Sequence, residues 1–548
     1  MPPPPDNAQE ESAAAAASST SARPRGPAGW TALQPLRFPV FRMLWTTWFA
    51  ANICMWMNDV AAAWMMTTLT TKPILVALVQ TASTLPVFLL GLPSGALADI
   101  VDRKKLLLFT QVWMAVVAIM LCVAVVTGIM SAPLLLLLTF ANGIGLALRW
   151  PVFSAIVPEL VPRAQMPQAL ALNGVSMNAS RIIGPLVAGA LIAGAGSMWV
   201  FVLNAILSVI AGFIVLRWQR VHTPSPLGRE PFFSAMRVGV QFVRQSERIK
   251  AVLVRISLFF LQSTAVLALL PLIARDLDGG GAGTYTLLLA SMGAGAICVA
   301  FFLPRLRQAM STEALVLRAT LVQAGSTAVM SVAPNVYVAV PAMLLGGAAW
   351  LAAANSLSVS AQLGLPNWVR ARGMSIYQMS IMGASAAGAA IWGQVATMTT
   401  VHIALGAAAI TGSIAMVVVQ RVSRDLSIEE DLTPSTAMKA PVADVAPVSG
   451  HVVVSIDFRI DPARAKEFEA VMQESRRSRL RQGALEWHLL HDIGDPGHYV
   501  EQIVDESWTE HLRRFDRITA SDAELRDRKL AFHVGESPPA VTRFVVER

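Results

Sequence analysis

The feature that most constrains this chain is a succession of apolar runs, each about as long as a bilayer is thick, with charge confined to the breaks. "ILVALVQTASTLPVFLLGLPSGALA" leads into "GALADIVDRKK", and "LLLFTQVWMAVVAIMLCVAVVTGIM" leads out of it. That break carries Asp99, Asp102, Arg103, Lys104 and Lys105. A hydrocarbon core of roughly 30 Å takes about 20 apolar residues per helix. Hydrocarbon offers no partner to a free backbone N–H or C=O, so every run that crosses it must be helical. Twelve runs fit: about 40–67, 74–99, 105–129, 133–157, 168–194, 198–217, 252–274, 284–303, 313–332, 336–359, 374–397 and 401–420. Charged residues make up only 14% of the chain, well under the quarter or so usual in soluble proteins.

The breaks alternate in charge. Arg103, Lys104 and Lys105, then Arg163, then Arg220 to Lys250, then Arg305 and Arg307, then Arg370 and Arg372 fall in every second break. The other set holds only Lys72 and Arg275. Positive loops stay in the cytoplasm, so both termini are expected there, in an inner or plasma membrane. The net charge of +8 is explained by this topology and not by a nucleic-acid surface. Cys54, Cys122 and Cys298 lie inside apolar runs at no metal-like spacing, so neither a disulfide framework nor a metal site is expected. The first 35 residues, rich in Pro, Ala and Ser, lack an apolar core behind a basic start. They read as a disordered cytoplasmic tail, with no cleaved signal peptide.

The apolar part repeats. Gly143, Ser154, Pro162 and Gly184 match Gly347, Ser358, Pro366 and Gly388 at one offset. This predicts two six-helix halves, 36–217 and 251–424, with a binding site near the midplane between them. The segment 218–250 joins them as a cytoplasmic loop. Within it Phe232, Phe233, Met236, Val240 and Val243 recur at helical spacing, which predicts an amphipathic helix on the membrane surface. After a polar linker at 425–450, residues 451–548 read as a cytoplasmic soluble domain. "HVVVSIDFRI" alternates as a strand, and the order β-α-β-β-α-β is ferredoxin-like, with a single second helix from a Ser cap through "SWTEHLRRFDRITASDAELRDRKLAFH". The whole is an all-α polytopic membrane protein with an α+β domain appended.

Charges within spans default to functional roles. Asp59, among apolar neighbours, is the candidate for proton coupling. Arg149 and Arg181 are candidates for binding an anionic substrate or modulating Asp59, and equally for a fixed internal ion pair or a cytoplasmic-gate contact. Asp99 stands near a helix end, where its charge is poorly matched to the C-terminal dipole, and so invites a partner in a cytoplasmic gate. In the soluble domain His488, His491, His498, His511 and His533 form no strong ligand pattern, and no cofactor motif is present. An ATP-binding loop is also lacking.

These residues resemble a known family. Twelve spans, a 6+6 repeat and a long central loop resemble the major facilitator superfamily. Gly95, Asp99, Arg103 and Lys104 fit its loop motif between spans two and three, with Ile100 in place of the usual base and Asp102 in place of the usual glycine. "RIIGPLVAG" resembles the antiporter element of the fifth span, with Gly184, Pro185 and Gly189 in its places. The usual fourth-span arginine is Thr139. The acidic second place resembles the subfamily of enterobactin-type exporters and transmembrane secretion effectors. The resemblance implies a proton-coupled exporter of small molecules, siderophore or drug-like, that is not an enzyme in its membrane part; an inward-working importer is the alternative. Residues 451–548 resemble the antibiotic biosynthesis monooxygenase-like domain, which implies dimerisation and leaves open an active enzyme fused to the transporter.

Overall fold

In a computed structural model the chain is described at residues 33–162, 165–218, 232–277, 280–366, 368–422, 431–435, 441 and 450–547. The first 32 residues and most of the linker expected at 425–450 lie outside them. After a short 3-10 turn, six long helices follow: α1 (Pro39–Leu69), α2 (Pro73–Ile100), α3 (Arg103–Val126), α4 (Ala132–Leu160), α5 (Met166–Ala195) and α6 (Ser197–Arg217). The shorter α7 (Phe232–Gln245) leads into a second series: α8 (Glu247–Asp276), α9 (Ala282–Ala309), α10 (Thr312–Met330), α11 (Val336–Leu363), α12 (Arg370–Met398) and α13 (Val401–Val422).

Among the described residues nine of these helices are long and apolar enough to cross a membrane: α2 to α6, α8, α9, α11 and α13. In the other three long helices polar residues interrupt the apolar stretch. Asn52, Asn58 and Asp59 interrupt α1; Glu313 and Gln323 sit in α10; Arg370 and Arg372 open α12. Several of these groups turn inward: Asn52, Asn58 and Gln323 are buried. Large apolar side chains meanwhile cover the outside, among them Phe109, Phe213, Ile210 and Phe301. That inside-out surface suits lipid and not water.

The repeat read from the sequence recurs in the helix packing. Helices α4, α5 and α6 begin at 132, 166 and 197, and α11, α12 and α13 at 336, 370 and 401, each 204 later. The matched glycines also meet matched backbone. A Cβ on Gly143 would strike the Ser83 carbonyl of α2, and one on Gly347 the Met292 carbonyl of α9. Ser83 and Met292 each lie ten residues past the start of their helix. Gly184 likewise faces the Ile53 carbonyl of α1, and Gly388 the Leu261 carbonyl of α8, each fourteen residues in. Small residues let helices approach where no hydrophobic force drives them together.

The two series meet along α2 against α12 and α5 against α9. At the end away from the C-terminal domain the seam is tied by polar and ring contacts. The Arg275 guanidinium donates to the Thr67 carbonyl, the Ile74 amide donates to Thr397 Oγ1 at 2.9 Å, and Trp64 stacks on Tyr285 at 5.7 Å.

The C-terminal residues form β1 (Val452–Arg459), α14 (Ala465–Arg481), β2 (Glu486–His491), β3 (His498–Asp505), α15 (Trp508–Asp516), α16 (Ala520–Leu530) and β4 (Val541–Val545). The sheet is antiparallel in the order β2-β3-β1-β4. The expected single second helix is two. Ser507 caps α15 as read, but Thr519 and Asp522 form a capping box that starts α16 afresh. The core holds Val452, Val454, Phe458, Phe468, Met472 and Ile503. Charged groups lie in that interior as well. Glu501, fully buried, accepts from Lys529 Nζ at 2.8 Å, Ser475 Oγ at 2.8 Å and Trp487 Nε1 at 3.0 Å. Burial alone would push its pKa up, but the Lys529 and Arg479 cations outweigh it and hold the carboxyl well below the usual range.

Two expectations follow. Gly347→Leu should keep α11 from seating on α9 and lower the thermal midpoint of the detergent-purified protein, by roughly the 1–3 kcal/mol of an overpacked core or more. Lys529→Met should strand the Glu501 carboxylate at a cost of about 3 kcal/mol, read as faster hydrogen exchange along β3, and adding Glu501→Gln should recover most of it. Since the folded pKa is depressed, this contribution is complete above the ordinary carboxylate range and fades only as pH falls through the lower folded value.

Candidate functional site

Helix α1 brings Asn52, Asn58 and Asp59 into the interior of the first series. Asp59 is half-buried and accepts a hydrogen bond from Ser83 Oγ of α2 at 2.9 Å. One turn earlier on α1, Trp56 faces Arg181 of α5, whose guanidinium lies 5.2 Å from that ring. The ring of Trp350 of α11 is 4.3 Å away. Arg181 thus meets one ring from each series of helices. Among the described residues no hydrogen-bond acceptor meets it, and its Nε is buried without a partner.

Arg149 of α4 is held differently. It is fully buried, donates to Asn52 Oδ1 at 3.2 Å, touches Met114 Sδ at 3.8 Å and lies 5.0 Å from the Trp48 ring. Trp48 in turn stacks on Phe153 at 3.9 Å. Neither arginine is paired with Asp59 among the described residues. The two therefore separate: Arg149 is enclosed within the first half, while Arg181 faces the seam.

The fifth-span glycines are contact points. Gly184 abuts Trp56 and the Ile53 carbonyl, and Gly189 abuts Thr286 of α9 across the seam, where a Cβ would overlap the threonine side chain. Pro185 lies buried inside α5. At the loop motif, helix α2 ends at Ile100 and α3 begins at Arg103. Asp102, which stands where the resembled family has glycine, caps α3 by accepting from the Lys105 amide at 3.0 Å. Such a cap contributes about 1 kcal/mol. Arg103 and Lys104 are half-buried in the first turn of α3. The surroundings of Gly95 and the side chain of Asp99 lie outside the described residues, and with them the gate contact expected of Asp99.

The histidines of the C-terminal domain are engaged in its framework. His511 is 1% exposed and bonds Asp505 Oδ2 at 2.7 Å; the pair resembles a catalytic dyad in composition but is enclosed by the domain. His498 lies between Asp492 at 3.0 Å and Asp457 at 3.2 Å, and these carboxylates, Asp492 foremost, push its pKa up. His488 meets Glu486, His491 meets the Pro496 carbonyl and His533 the Ser537 carbonyl.

With this geometry in place, comparison with known proteins is decisive. The profile of the family described as "Transmembrane secretion effector" matches residues 30–548. The chain belongs to the transmembrane secretion effector family. Among curated relatives, the enterobactin exporter EntS of Salmonella typhimurium is 26% identical over 364 residues, 66% of this chain and 87% of that protein. The staphyloferrin A transporter of Staphylococcus aureus is 22% identical over 46% of this chain and 63% of its own length. Macrolide efflux protein A of Enterococcus faecalis is 28% identical over 36% of this chain and 61% of its own length. The chain thus spans under two thirds of the length of several of the curated relatives it matches. Among solved structures, a mutant of the nucleoside transporter NupG superposes with TM-score 0.58 at 13% identity over 69% of this chain and 99% of that one, a likeness of fold. The family places the chain among polytopic membrane proteins.

The sequence singled out Asp59, Arg149 and Arg181 by their cost in a membrane. It missed the groups that hold them: Asn52 and Trp48 around Arg149, Trp56 and Trp350 around Arg181. Trp56, one turn from Asp59, was a legible signal; Trp350 lies far along the chain and only the fold brings it near. If Arg149 is structural, Asn52→Leu should leave a buried guanidinium short of an acceptor and cost about 2–3 kcal/mol, measured as a lowered thermal midpoint. Asn52→Leu with Arg149→Met should recover much of that loss.

Proposed function

We propose that the chain is a secondary active transporter, a proton-coupled exporter of small molecules working by alternating access. All twelve long helices cross the inner or plasma membrane in two six-helix halves, with both termini cytoplasmic. The positive breaks at Arg103 to Lys105, Arg305, Arg307, Arg370 and Arg372 support that orientation. Relatives named for enterobactin export, staphyloferrin A transport and macrolide efflux support a siderophore or drug-like substrate. The C-terminal module is read as ferredoxin-like and monooxygenase-like, which its sheet order supports. Strand β4, with Phe544 and Val541 exposed, supports pairing with a second copy.

The observation that carries the transport reading is Asp59 and Arg181 together. Arg181 meets Trp350 across the seam that alternating access must open, and Asp59 lies one turn from Trp56, the ring on the first series that Arg181 also meets. One is an acid held by a hydroxyl, the other a cation backed by rings from each half. In this reading Asp59 takes and releases the coupling proton, and the Arg181 guanidinium receives an anionic group of the substrate, for which its planar fork of donors is suited.

The test is accumulation in everted membrane vesicles of a panel comprising enterobactin, a macrolide and a carboxylate siderophore. An exporter fills such vesicles when their lumen is acidic. Asp59→Asn should abolish this gradient-driven accumulation while the protein still inserts. Arg181→Gln should weaken apparent affinity for a transported anion about tenfold or more. Undiminished gradient-driven accumulation by Asp59→Asn would remove the coupling role, and uptake confined to right-side-out vesicles would favour the importer.

A further inference from the structure

The C-terminal domain bears on the second series of helices. Among the described residues, its polar and ring contacts with the helical part fall on α7, on the first turn of α8 and on the turn before α12. Glu506 accepts from Ser234 Oγ at 2.6 Å and from Arg237 at 2.8 Å. Gln241 Nε2 donates to the Ala484 carbonyl at 2.7 Å. Arg477 pairs with Glu247 at 2.9 Å. The Arg517 guanidinium lies 5.2 Å from the Trp368 ring, and Arg481 lies 5.8 Å from the Phe242 ring.

Helix α7 was expected on a membrane surface. Its buried side chains are instead Ser234, Val238, Phe242 and Val243, and protein covers them. Phe242 meets Trp368 edge-on at 5.6 Å, and Val238 lies against Gly483. The face is set by these partners and not by lipid. The side chains of Phe232 and Phe233 lie outside the described residues. Gly239 bears on Arg372, in the first turn of α12, and Ser246 alone separates α7 from α8, which it caps. The domain therefore grips the bases of α8 and α12. Those are the two helices of the second series that pack most against α2 of the first. Near this end, Met379 of α12 abuts Gly91 of α2.

The Arg237–Glu506 pair is 31% and 40% exposed, and a half-exposed pair contributes little alone. Here it belongs to a network of charge and backbone contacts on one short helix, and such groups couple.

We infer that the C-terminal domain is a brace on the second half: it clamps the bases of α8 and α12 and so limits how readily the seam beside α2 opens at this end. The consequence for transport rests on the transporter reading, but the seam can be read without any substrate. The experiment uses full-length protein in nanodiscs with a Met379→Cys reporter, labelled by a water-soluble maleimide, with labelling of Cys54, Cys122 and Cys298 in the reporter-free parent subtracted. Arg237→Glu or Glu506→Arg should each raise the labelling rate about threefold or more, and the double reversal should return it towards the parent. Gln241→Leu, a milder change, should give a smaller rise and serves if a reversal fails to accumulate. Hydrogen exchange along α7 reports undocking separately. Faster exchange in α7 with an unchanged labelling rate would overturn the brace, as would a double reversal that labels as fast as the singles. Absent transport with the labelling pattern intact would count against the transporter reading alone.

Discussion

Everything here depends on the backbone having nowhere to put its hydrogen bonds except into helices. Once each apolar run is a closed helix, lipid supplies no force to press helices together, and association falls to close packing and to polar contacts between them. The glycines answer the first need. Gly143 and Gly347, and Gly184 and Gly388, each bring a helix against the carbonyl of its neighbour at matched depth. Polar side chains answer the second, as Asn52 meeting Arg149 and Ser83 meeting Asp59 show.

The two span arginines show how one residue type divides. Arg149 has an amide oxygen, a sulfur and a ring around it and no exposure, with only its Nε left without a partner among the described residues. Arg181 has a ring from each series near it and no acceptor among the described residues. A cation over an aromatic face is attracted to the ring's electron density, which steadies the guanidinium without neutralising it. That leaves it able to attract an anion.

Much of the helical part was legible, because period, length and charge placement are local properties. The repeat was legible too, since two of the four residue pairs at one offset, Gly143 with Gly347 and Gly184 with Gly388, mark contacts that the fold makes twice. The face of α7 was not. Its apolar spacing fits lipid and protein equally, and only Arg237, Gln241 and Ser234 meeting Glu506 and the Ala484 carbonyl decide it. The break between α15 and α16 was written in Thr519 and Asp522, yet a continuous helical pattern concealed it. Asp102 departs from the resembled motif; as the cap of α3 it has a local reason of its own.

The Thr67–Arg275 contact at the far end has a consequence of another kind. A backbone carbonyl cannot be mutated away, so this tie survives most substitutions at its accepting side. The tether therefore rests on the Arg275 guanidinium and on the helix that holds the Thr67 carbonyl in place, not on which side chain stands at that turn of α1.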